Sequence, residues 1–316
     1  MTPKISIIIP VYNAGSKLSN CVQSIINQDF TNFELLLIND GSTDESGIIC
    51  DAFAKDDHRI RVFHQNNAGV SAARNKGIEN AIGEWMTFID ADDYITENYF
   101  KVLNIQSKSD WIHLNSKRDV YGNKGWVLNF ENRDYVLSDF TEKYSLYPHF
   151  AEAWGKFFKK SIIQQNNLKF DTNLKFGEDS LFNLKYLKFC KIISTSNLSK
   201  YVYENGEDGL SKLKYEIKND TILFKEIEKE LKVYQYPSKF CQESIRIPLT
   251  RYLKILYYDN SISTPERRHL LKKTVEKYYK ICLTIYTNPK VQFFFIFVHF
   301  TGFYSVLDVV LSKLNK

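Results

Sequence analysis

Four short apolar segments, separated by helix-like stretches, most strongly constrain how this chain can fold. The segments ISIIIPVYN, FELLLIND, IRVFHQ and EWMTFID each contain the apolar, β-branched run that is typical of a buried strand. Residues 17–28 and 70–82 carry apolar side chains at helical spacing. Strands that alternate with helices of this length predict βαβ units with right-handed crossovers, and therefore an α/β fold with a mostly parallel sheet.

Polar side chains follow three of the predicted strands. Asn13, Asp40 and Asp90 come at the ends of the first, second and fourth strands. The carboxyl ends of parallel strands share one edge of a sheet, and open α/β sheets bind nucleotides at that edge. We therefore expect these side chains to meet at a nucleotide site.

The fourth strand runs into a cluster of carboxylates in MTFIDADDY. Asp90, Asp92 and Asp93 lie within four residues, and carboxylates this close repel one another unless a cation lies between them. Hard cations take oxygen ligands, and Mg²⁺ is often held by one or two carboxylates together with substrate phosphates. The cluster thus indicates a phosphate–metal site; the alternative is a solvated turn before the next helix.

Six motifs, taken in chain order, indicate a family. PVYN, INDGSTD, NNAGVSAARNKGI, FIDADD, AWGKFF and GEDSLF resemble family 2 of the inverting nucleotide-sugar glycosyltransferases, over about residues 4–211. The resemblance implies a glycosyltransferase-A fold, in which a Rossmann-like, mostly parallel sheet is flanked by helices. It also implies a UDP-sugar donor, a divalent cation (Mn²⁺ or Mg²⁺) and inversion at the anomeric carbon.

The resemblance assigns the base pocket residue by residue. It places Pro10, Tyr12 and Asn13 along the pocket and Asp40 on the uracil. A tyrosine ring can stack on a base, and a carboxylate can accept the imide N–H of uracil. The alternatives are an aromatic residue at a strand end and an Asx-turn. As a carboxylate at the rim of the sheet, Asp40 is expected to add little to fold stability.

The third motif supplies further donor-site candidates. The resemblance places Arg74 near the donor, where a guanidinium pairs with phosphate or with the first carboxylate of the acidic cluster. Asn67 and Asn75 are weaker candidates for the same site.

Asp90, Ala91 and Asp92 match the DxD motif of the family. The resemblance implies that Asp92 binds the metal and that Asp90 reaches the ribose or a water on the cation. Asp93 is a candidate cap for a following helix. Relatives commonly carry Arg or His after the strand IISTSNLSKYVYE, but this chain has the acidic stretch ENGE at residues 204–207, so the third metal ligand stays open.

The segment EAWGKFF is predicted to lie under the acceptor. Trp154 offers a flat apolar face to a sugar ring, and Lys156 can anchor a hydroxyl or a phosphate. The alternative for Trp154 is a place in the core.

The motif GEDSLF places Glu178 and Asp179 at the start of a predicted helix. Both residues suit the positive end of a helix, so capping alone explains them. The resemblance implies instead that Asp179 is the general base of an inverting transfer, which needs one carboxylate to take the proton of the acceptor hydroxyl. Glu178 then assists at the acceptor site or caps the helix.

Charge divides the chain of 316 residues into two predicted domains, residues 1–210 and 211–316. The second holds 19 Lys and Arg against 10 Asp and Glu, a net charge of +9, whereas the first holds 23 against 27, a net charge of −4. Residues 215–258 and 265–286 have helical patterns, and the basic helices contain no recognisable nucleic-acid-binding module.

The last predicted helix, residues 291–314, is apolar almost all round. His299 and Asp308 argue against a membrane span. A helix packed in the core or in a homodimer interface, and a helix lying on the membrane surface, remain alternatives.

The five cysteines are scattered, odd in number and without a CxxC pair, which disfavours a disulfide framework and structural zinc. No signal peptide precedes the first strand, so we expect a protein of the cytoplasm, at the inner face of the membrane.

Together these features predict a metal-dependent, inverting hexosyltransferase. It would move a hexose or N-acetylhexosamine from a UDP-sugar to a glycan hydroxyl in bacterial surface-polysaccharide synthesis. The alternatives are transfer to a polyprenyl phosphate and a non-catalytic nucleotide-sugar-binding scaffold of the same fold.

Overall fold

The computed structural model describes residues 2–105, 108–119, 127–204, 217–234, 238–258, 261–286 and 288–314. The chain divides into two compact units, unit 1 (residues 1–212) and unit 2 (residues 213–316). Unit 1 combines strands and helices, whereas the described elements of unit 2 are helical.

The described strands of unit 1 form one ten-stranded sheet. Its strands are β1 (Ile5–Val11), β2 (Phe33–Asp40), β3 (Ile60–Gln65), β4 (Trp85–Phe88), β5 (Tyr94–Ile95), β6 (Trp111–Asp119), β7 (Val127–Leu128), β8 (Arg133–Val136), β9 (Lys156–Lys159) and β10 (Ile192–Glu204). Its helices are α1 (Lys17–Ile26), α2 (Ser46–Asp56), α3 (Val70–Asn80), α4 (Val102–Ile105), α5 (Leu137–Lys143), α6 (Lys160–Gln165) and α7 (Glu178–Leu187).

The first four strands form the parallel half of the sheet, in the order β3-β2-β1-β4. β1 pairs with β2 and β4, and β2 pairs with β3, all in parallel. This arrangement is the predicted βαβ pattern, although α2 has no counterpart among the predicted helices. β1 and β2 are almost continuously buried, which explains why their sequences are continuously apolar instead of alternating.

The second half of the sheet continues as β9-β6-β10-β5, with β7 beside β6 and β8 beside β10. β9 is antiparallel to both β4 and β6. β6 and its parallel partner β10 therefore run in the same direction as β1. As a consequence, β9 begins at the edge where the parallel strands end, which brings the residues before β9 to the polar ends of β1, β2 and β4.

Helix α3 approaches β1 unusually closely. A β-carbon at Gly77 would lie 2.3 Å from Ile8 Cγ2, so only glycine allows this contact. Arg74 is three residues earlier on the same helix, and residues at this spacing share a face. The close packing at Gly77 therefore turns Arg74 toward the sheet.

Unit 2 contains the helices α8 (Ile217–Leu231), α9 (Lys239–Tyr258), α10 (Thr264–Ile285), α11 (Pro289–Thr301) and α12 (Tyr304–Leu314). The prediction of one last helix over residues 291–314 is wrong. The chain turns at Gly302, whose φ of 72° lies in the left-handed region that favours glycine and ends helices.

An ion-pair cluster within unit 2 accounts for Asp308. Its carboxylate is buried and accepts hydrogen bonds from Arg267 Nε at 2.8 Å and from Arg268 Nε at 3.0 Å. α12 therefore packs against α10 through its charged residue. Within the described ranges, every helix is too short or too polar to cross a membrane.

Candidate active site

A buried arginine joins three carboxylates in unit 1. Arg74 Nη2 lies 3.1 Å from Asp90 Oδ1, and Arg74 Nη1 lies 3.0 Å from Glu178 Oε1 and 2.5 Å from Asp179 Oδ1. We call these four residues the carboxylate–arginine cluster. Burial acts to lower the pKa of Arg74, but the carboxylates, Asp179 foremost, hold it above its usual range. The guanidinium is therefore a permanent cation that joins the end of β4 to the start of α7.

Asp179 lies in the first turn of α7, which follows Gly177 (φ 77°). Its second oxygen, Oδ2, accepts a hydrogen bond from the N–H of Ala153 at 3.1 Å. Burial and the adjacent charge of Glu178 raise the pKa of Asp179 to about 7, against the opposing effect of Arg74. A carboxyl group with a pKa near neutrality is suited to take up a proton at physiological pH.

Asp92 lies in the loop after β4 and has a partly exposed side chain. Burial and the neighbouring Asp90 raise the pKa of Asp92. In the part of the chain that the structure describes, no group of three or more His, Cys, Asp or Glu side chains is placed to hold a metal ion. One or two carboxylates suffice when substrate phosphates complete the shell. The donor set of Asp92 and Asp90 therefore fits a divalent cation that arrives with a diphosphate.

The next residue, Asp93, has a different role from the helix cap considered above. The following element is the strand β5, so a helix cap at this position is wrong. Asp93 is buried and accepts hydrogen bonds from the Tyr201 hydroxyl at 2.5 Å and from the N–H of Glu204 at 2.8 Å. It ties the DxD loop to β10.

Asp40 lies at the end of β2 and is buried, which argues against the expectation that it adds little to fold stability. Only 3% of the residue is exposed. Asp40 Oδ1 accepts hydrogen bonds from Gln65 Nε2 at 2.7 Å and from the N–H of Ala68 at 2.9 Å, and Oδ2 accepts from the N–H of Gly69 at 2.8 Å. The carboxylate holds the loop between β3 and α3, because it supplies that loop with acceptors.

The remaining base-pocket candidates surround the end of β1. Tyr12 is 53% exposed, which leaves its ring accessible. Asn13 has a φ of 48°, and its Oδ1 accepts a hydrogen bond from the N–H of Thr43 at 2.8 Å. Pro10 is in β1 itself, and Asn67 lies exposed in the loop before α3.

The two predicted acceptor-site residues, Trp154 and Lys156, contact each other. The Trp154 ring stacks on Tyr201, with centroids 4.6 Å apart and planes 7° apart. Lys156 Nζ donates to the carbonyl oxygen of Trp154 at 3.1 Å, and burial lowers the pKa of Lys156 to about 8. Lys156 begins β9, and α6 follows that strand at Lys160.

Asn75 lies outside the carboxylate–arginine cluster. Its side-chain amide exchanges two hydrogen bonds, at 2.9 and 2.8 Å, with the backbone of Phe170. The Phe170 ring centroid is 5.3 Å from Arg74 Cζ. Asn75 therefore holds in place a ring that covers Arg74.

Two residues of the site escape the sequence analysis. Lys17 begins α1, and its charge opposes the rise in the pKa of Asp92. Tyr201 contacts the DxD loop across more than 100 residues, so no local spacing signals it. Of the acidic stretch 204–207, only Glu204 lies within the described residues; Lys212 and Lys214, which follow that stretch in the sequence and could substitute for the missing Arg or His, lie outside them.

Comparison with known proteins connects this site to a family. The sequence model described as "Glycosyl transferase family 2" matches residues 6–109. The chain is 28% identical to the uncharacterized glycosyltransferase EpsJ of Bacillus subtilis over 293 residues, which are 88% of this chain and 83% of EpsJ. It is 34% identical to the poly(ribitol-phosphate) beta-glucosyltransferase of Bacillus spizizenii over 216 residues, which are 65% of this chain and 33% of that protein.

A solved structure shows the same fold. TarS 1–349 of S. aureus, in complex with UDP-GlcNAc, matches with a TM-score of 0.65 and 17% identity over 98% of this chain and 92% of that one. The mixed sheet flanked by helices is thus a glycosyltransferase-A fold with a helical C-terminal region, as predicted. The family match over residues 6–109, the relatives named as glycosyltransferases and the shared fold together support a family 2 glycosyltransferase.

Proposed function

We propose that this protein is an inverting, metal-dependent hexosyltransferase. It transfers a hexose or N-acetylhexosamine from a UDP-sugar to a hydroxyl group of a glycan in bacterial surface-polysaccharide synthesis, such as that of capsule or lipopolysaccharide. The observation that carries the proposal is the position of Asp179, which Arg74 joins directly to the first carboxylate of the DxD motif. The Arg74 guanidinium thus contacts both the proposed proton acceptor, Asp179, and the loop that carries the DxD motif.

Asp179 is the general base. The acceptor oxygen forms a bond to the anomeric carbon from the side opposite UDP, its proton passes to the Asp179 carboxylate, and the bond from that carbon to the UDP oxygen breaks. The pKa of about 7 serves this step, because the carboxyl is largely ionised above pH 7 and still basic enough to hold a proton. Arg74 and the N–H of Ala153 keep the carboxylate oriented.

Asp92, with Asp90 beside it, would hold Mn²⁺ or Mg²⁺. When bound, the cation neutralises negative charge on the leaving diphosphate. Tyr12 offers its exposed ring to the base. Asp40 keeps acceptor capacity for the uracil imide, since a carboxylate has about four lone-pair sites and three are used.

Around these groups, the proposed donor site is completed by Pro10, Asn13, Asn67, Arg74 and Ala91. The proposed acceptor residues are Trp154, which is only 6% exposed, Lys156 and Glu178. The complex of the structural neighbour with UDP-GlcNAc and the glucosyl transfer in the name of one relative support a UDP-hexose donor.

The decisive experiment is a panel of nucleotide sugars, read by UDP release in the presence of glycan acceptors. Asp179→Asn should lower turnover about 10²- to 10⁴-fold while leaving UDP binding intact, because a general base acts on the acceptor proton. Asp51→Asn, an exposed position on α2, is the matched control.

Transfer to polyprenyl phosphate that survives Asp179→Asn would favour the alternative acceptor, since a phosphate needs no base. UDP binding without turnover of any donor would indicate a scaffold.

We further propose that unit 2 binds the inner face of the cytoplasmic membrane peripherally. Its surface carries an apolar strip formed by Phe293, Ile296, Phe303, Val306 and Val309, which are between 37% and 61% exposed. Unit 2 is also basic, and near-surface Lys and Arg each add about 1 kcal/mol on anionic lipid. Apolar burial and charge attraction thus act together.

Point substitutions test this membrane proposal better than truncation, because α11 and α12 also bury Phe295 and Leu307. The double variant Phe293→Ser, Phe303→Ser should lose co-sedimentation with anionic vesicles, and high salt should weaken binding of the unaltered protein. Ile48→Ser, at an apolar position of unit 1 that is 75% exposed, is the control. If the double variant instead abolishes a homodimer, the strip is a subunit interface.

A further inference from the structure

We infer that Tyr201 is a positioning residue for donor and metal binding, because its hydroxyl group fixes both ends of the loop that carries the DxD motif. This inference rests on the proposed function and concerns the same site. The hydroxyl accepts a hydrogen bond from the N–H of Asp90 at 3.0 Å and donates one to Asp93 Oδ2 at 2.5 Å. Residues 90–93 are thus held at their first and last members by a single oxygen atom.

The loop also has an internal constraint. The N–H of Asp93 donates to the carbonyl oxygen of Asp90 at 3.1 Å, which closes a turn. Asp93 Oδ1 accepts from the N–H of Glu204 at 2.8 Å, so the turn is fastened to the end of β10 at a second point. Asp92 lies inside this turn, and its backbone position is therefore set by its two anchored neighbours.

The surroundings of Tyr201 make its hydroxyl group difficult to replace. Tyr201 and Asp93 are both buried, and no water can substitute readily for a lost partner in a packed interior. One face of the Tyr201 ring supports Trp154 at a centroid distance of 4.6 Å. The hydroxyl thus serves the donor side, while the ring serves the acceptor side.

A shift in strand register brings Tyr201 to this position. The pairing of β10 with β6 shifts between Ser196 and Lys200, and beyond that shift Tyr201 pairs with Ile95 of the short strand β5. β5 directly follows the DxD loop along the chain. The irregularity in β10 therefore aligns the tyrosine with the loop that it fastens.

The substitution Tyr201→Phe removes the hydroxyl and keeps the ring. Tyr186→Phe is the matched control, because the buried Tyr186 hydroxyl also accepts from a backbone N–H (Lys159, 2.6 Å) and donates to an oxygen (Asp110 O, 2.7 Å). Lys159 and Asp110, the two partners of Tyr186, lie where β9 ends and β6 begins, at the edge of the sheet opposite the DxD loop. Both variants should lose similar thermal stability.

The readout is calorimetric binding of UDP with and without Mn²⁺, together with the acceptor KM. Tyr201→Phe should weaken the Mn²⁺-dependent binding of UDP about tenfold, the effect of roughly one lost buried hydrogen bond to the loop, and leave the acceptor KM within about twofold. Tyr186→Phe should bind UDP and Mn²⁺ like the unaltered protein. Tyr201→Leu, which also removes the stacked ring, should raise the acceptor KM as well.

Equal binding by Tyr201→Phe and the unaltered protein would overturn the inference, and so would equal weakening in both Phe variants, which would indicate general destabilisation. If Tyr201→Phe does not fold, Asp93→Asn takes its place in the test. The amide nitrogen of asparagine cannot accept a hydrogen bond, so this variant loses either the bond from Tyr201 or the bond from Glu204. Unchanged Mn²⁺-dependent binding of UDP by Asp93→Asn would overturn the inference. Unaltered protein that binds UDP without any response to Mn²⁺ would overturn the metal role of the proposed function and the inference with it.

Discussion

The parallel half of the sheet, β3-β2-β1-β4, and the second half, β9-β6-β10-β5, contribute to the active site in different ways. In the parallel half, each functional residue follows a strand directly, so Asn13, Asp40 and Asp90 reach the edge through local chain direction. In the second half, Trp154 reaches the same edge because β9 is antiparallel, and Tyr201 reaches it after a shift in register. Local sequence therefore places the proposed donor residues at the ends of their strands, whereas long-range packing places Trp154 and the tyrosine that contacts the DxD loop.

Arg74 joins the end of β4, in the parallel half, to α7, which follows β9 of the second half, so its removal should have the largest effect. Arg74→Met would leave Asp90, Glu178 and Asp179 without their cation, which costs about 3–5 kcal/mol for a broken buried ion pair. Urea denaturation measures this loss. Arg61→Met, which removes a partly exposed partner of Glu34, is the control and should cost less. A similar cost for both variants would mean that the cluster does not couple the halves.

In the parallel half, the next largest effect is expected at Asp92, the proposed metal ligand. Asp92→Asn should lower turnover about 10²-fold through weaker neutralisation of the leaving diphosphate, an effect of several kcal/mol at most. EDTA should abolish the activity of the unaltered protein, and Mn²⁺ or Mg²⁺ should restore it. The assay is UDP release. Full activity in excess chelator would remove the metal from the mechanism.

A smaller effect is expected at Asp40, where donor binding and loop stability coincide. Asp40→Ala leaves the N–H groups of Ala68 and Gly69 and the Gln65 amide without their acceptor, so the free energy of unfolding should fall by about 1–3 kcal/mol. Calorimetry should also show weaker UDP binding. Asp40→Asn keeps one acceptor oxygen, so its free energy of unfolding should lie between those of Asp40→Ala and the unaltered protein. Unchanged unfolding with weaker binding would assign Asp40 to the nucleotide alone.

The mildest test changes only the protonation state of Asp179. Because Asp179 must be ionised to act as base, kcat/KM should fall about tenfold per unit of pH below its pKa of about 7. Glu178→Gln removes a negative neighbour that raises this pKa, so the acidic limb should move to lower pH. The pH profile of UDP release measures both. A limb that stays in place would show that Glu178 does not set the proton affinity of Asp179.

The same contrast explains what the sequence predicted correctly. Apolar runs closed by polar residues predict β1, β2 and β4, because strands buried on both faces need continuous hydrophobicity. The left-handed turn at Gly302 and the helix α2 were missed, since a single glycine in an apolar stretch and a weakly periodic segment give little local signal. Burial of Asp40 was also missed, because its partners come from a loop 25 to 29 residues further along the chain.

The sequence by itself determined the family, the fold class, and the identity of the carboxylates at the ends of strands and helices, because each depends on residue types within a few positions of one another. Only the tertiary structure decided that Arg74 joins Asp90 to Asp179 and that Asp93 and Tyr201 hold the DxD loop. These contacts join residues up to 111 positions apart. Their formation depends on strand direction, register and the close packing of α3 on β1, and no local pattern encodes those.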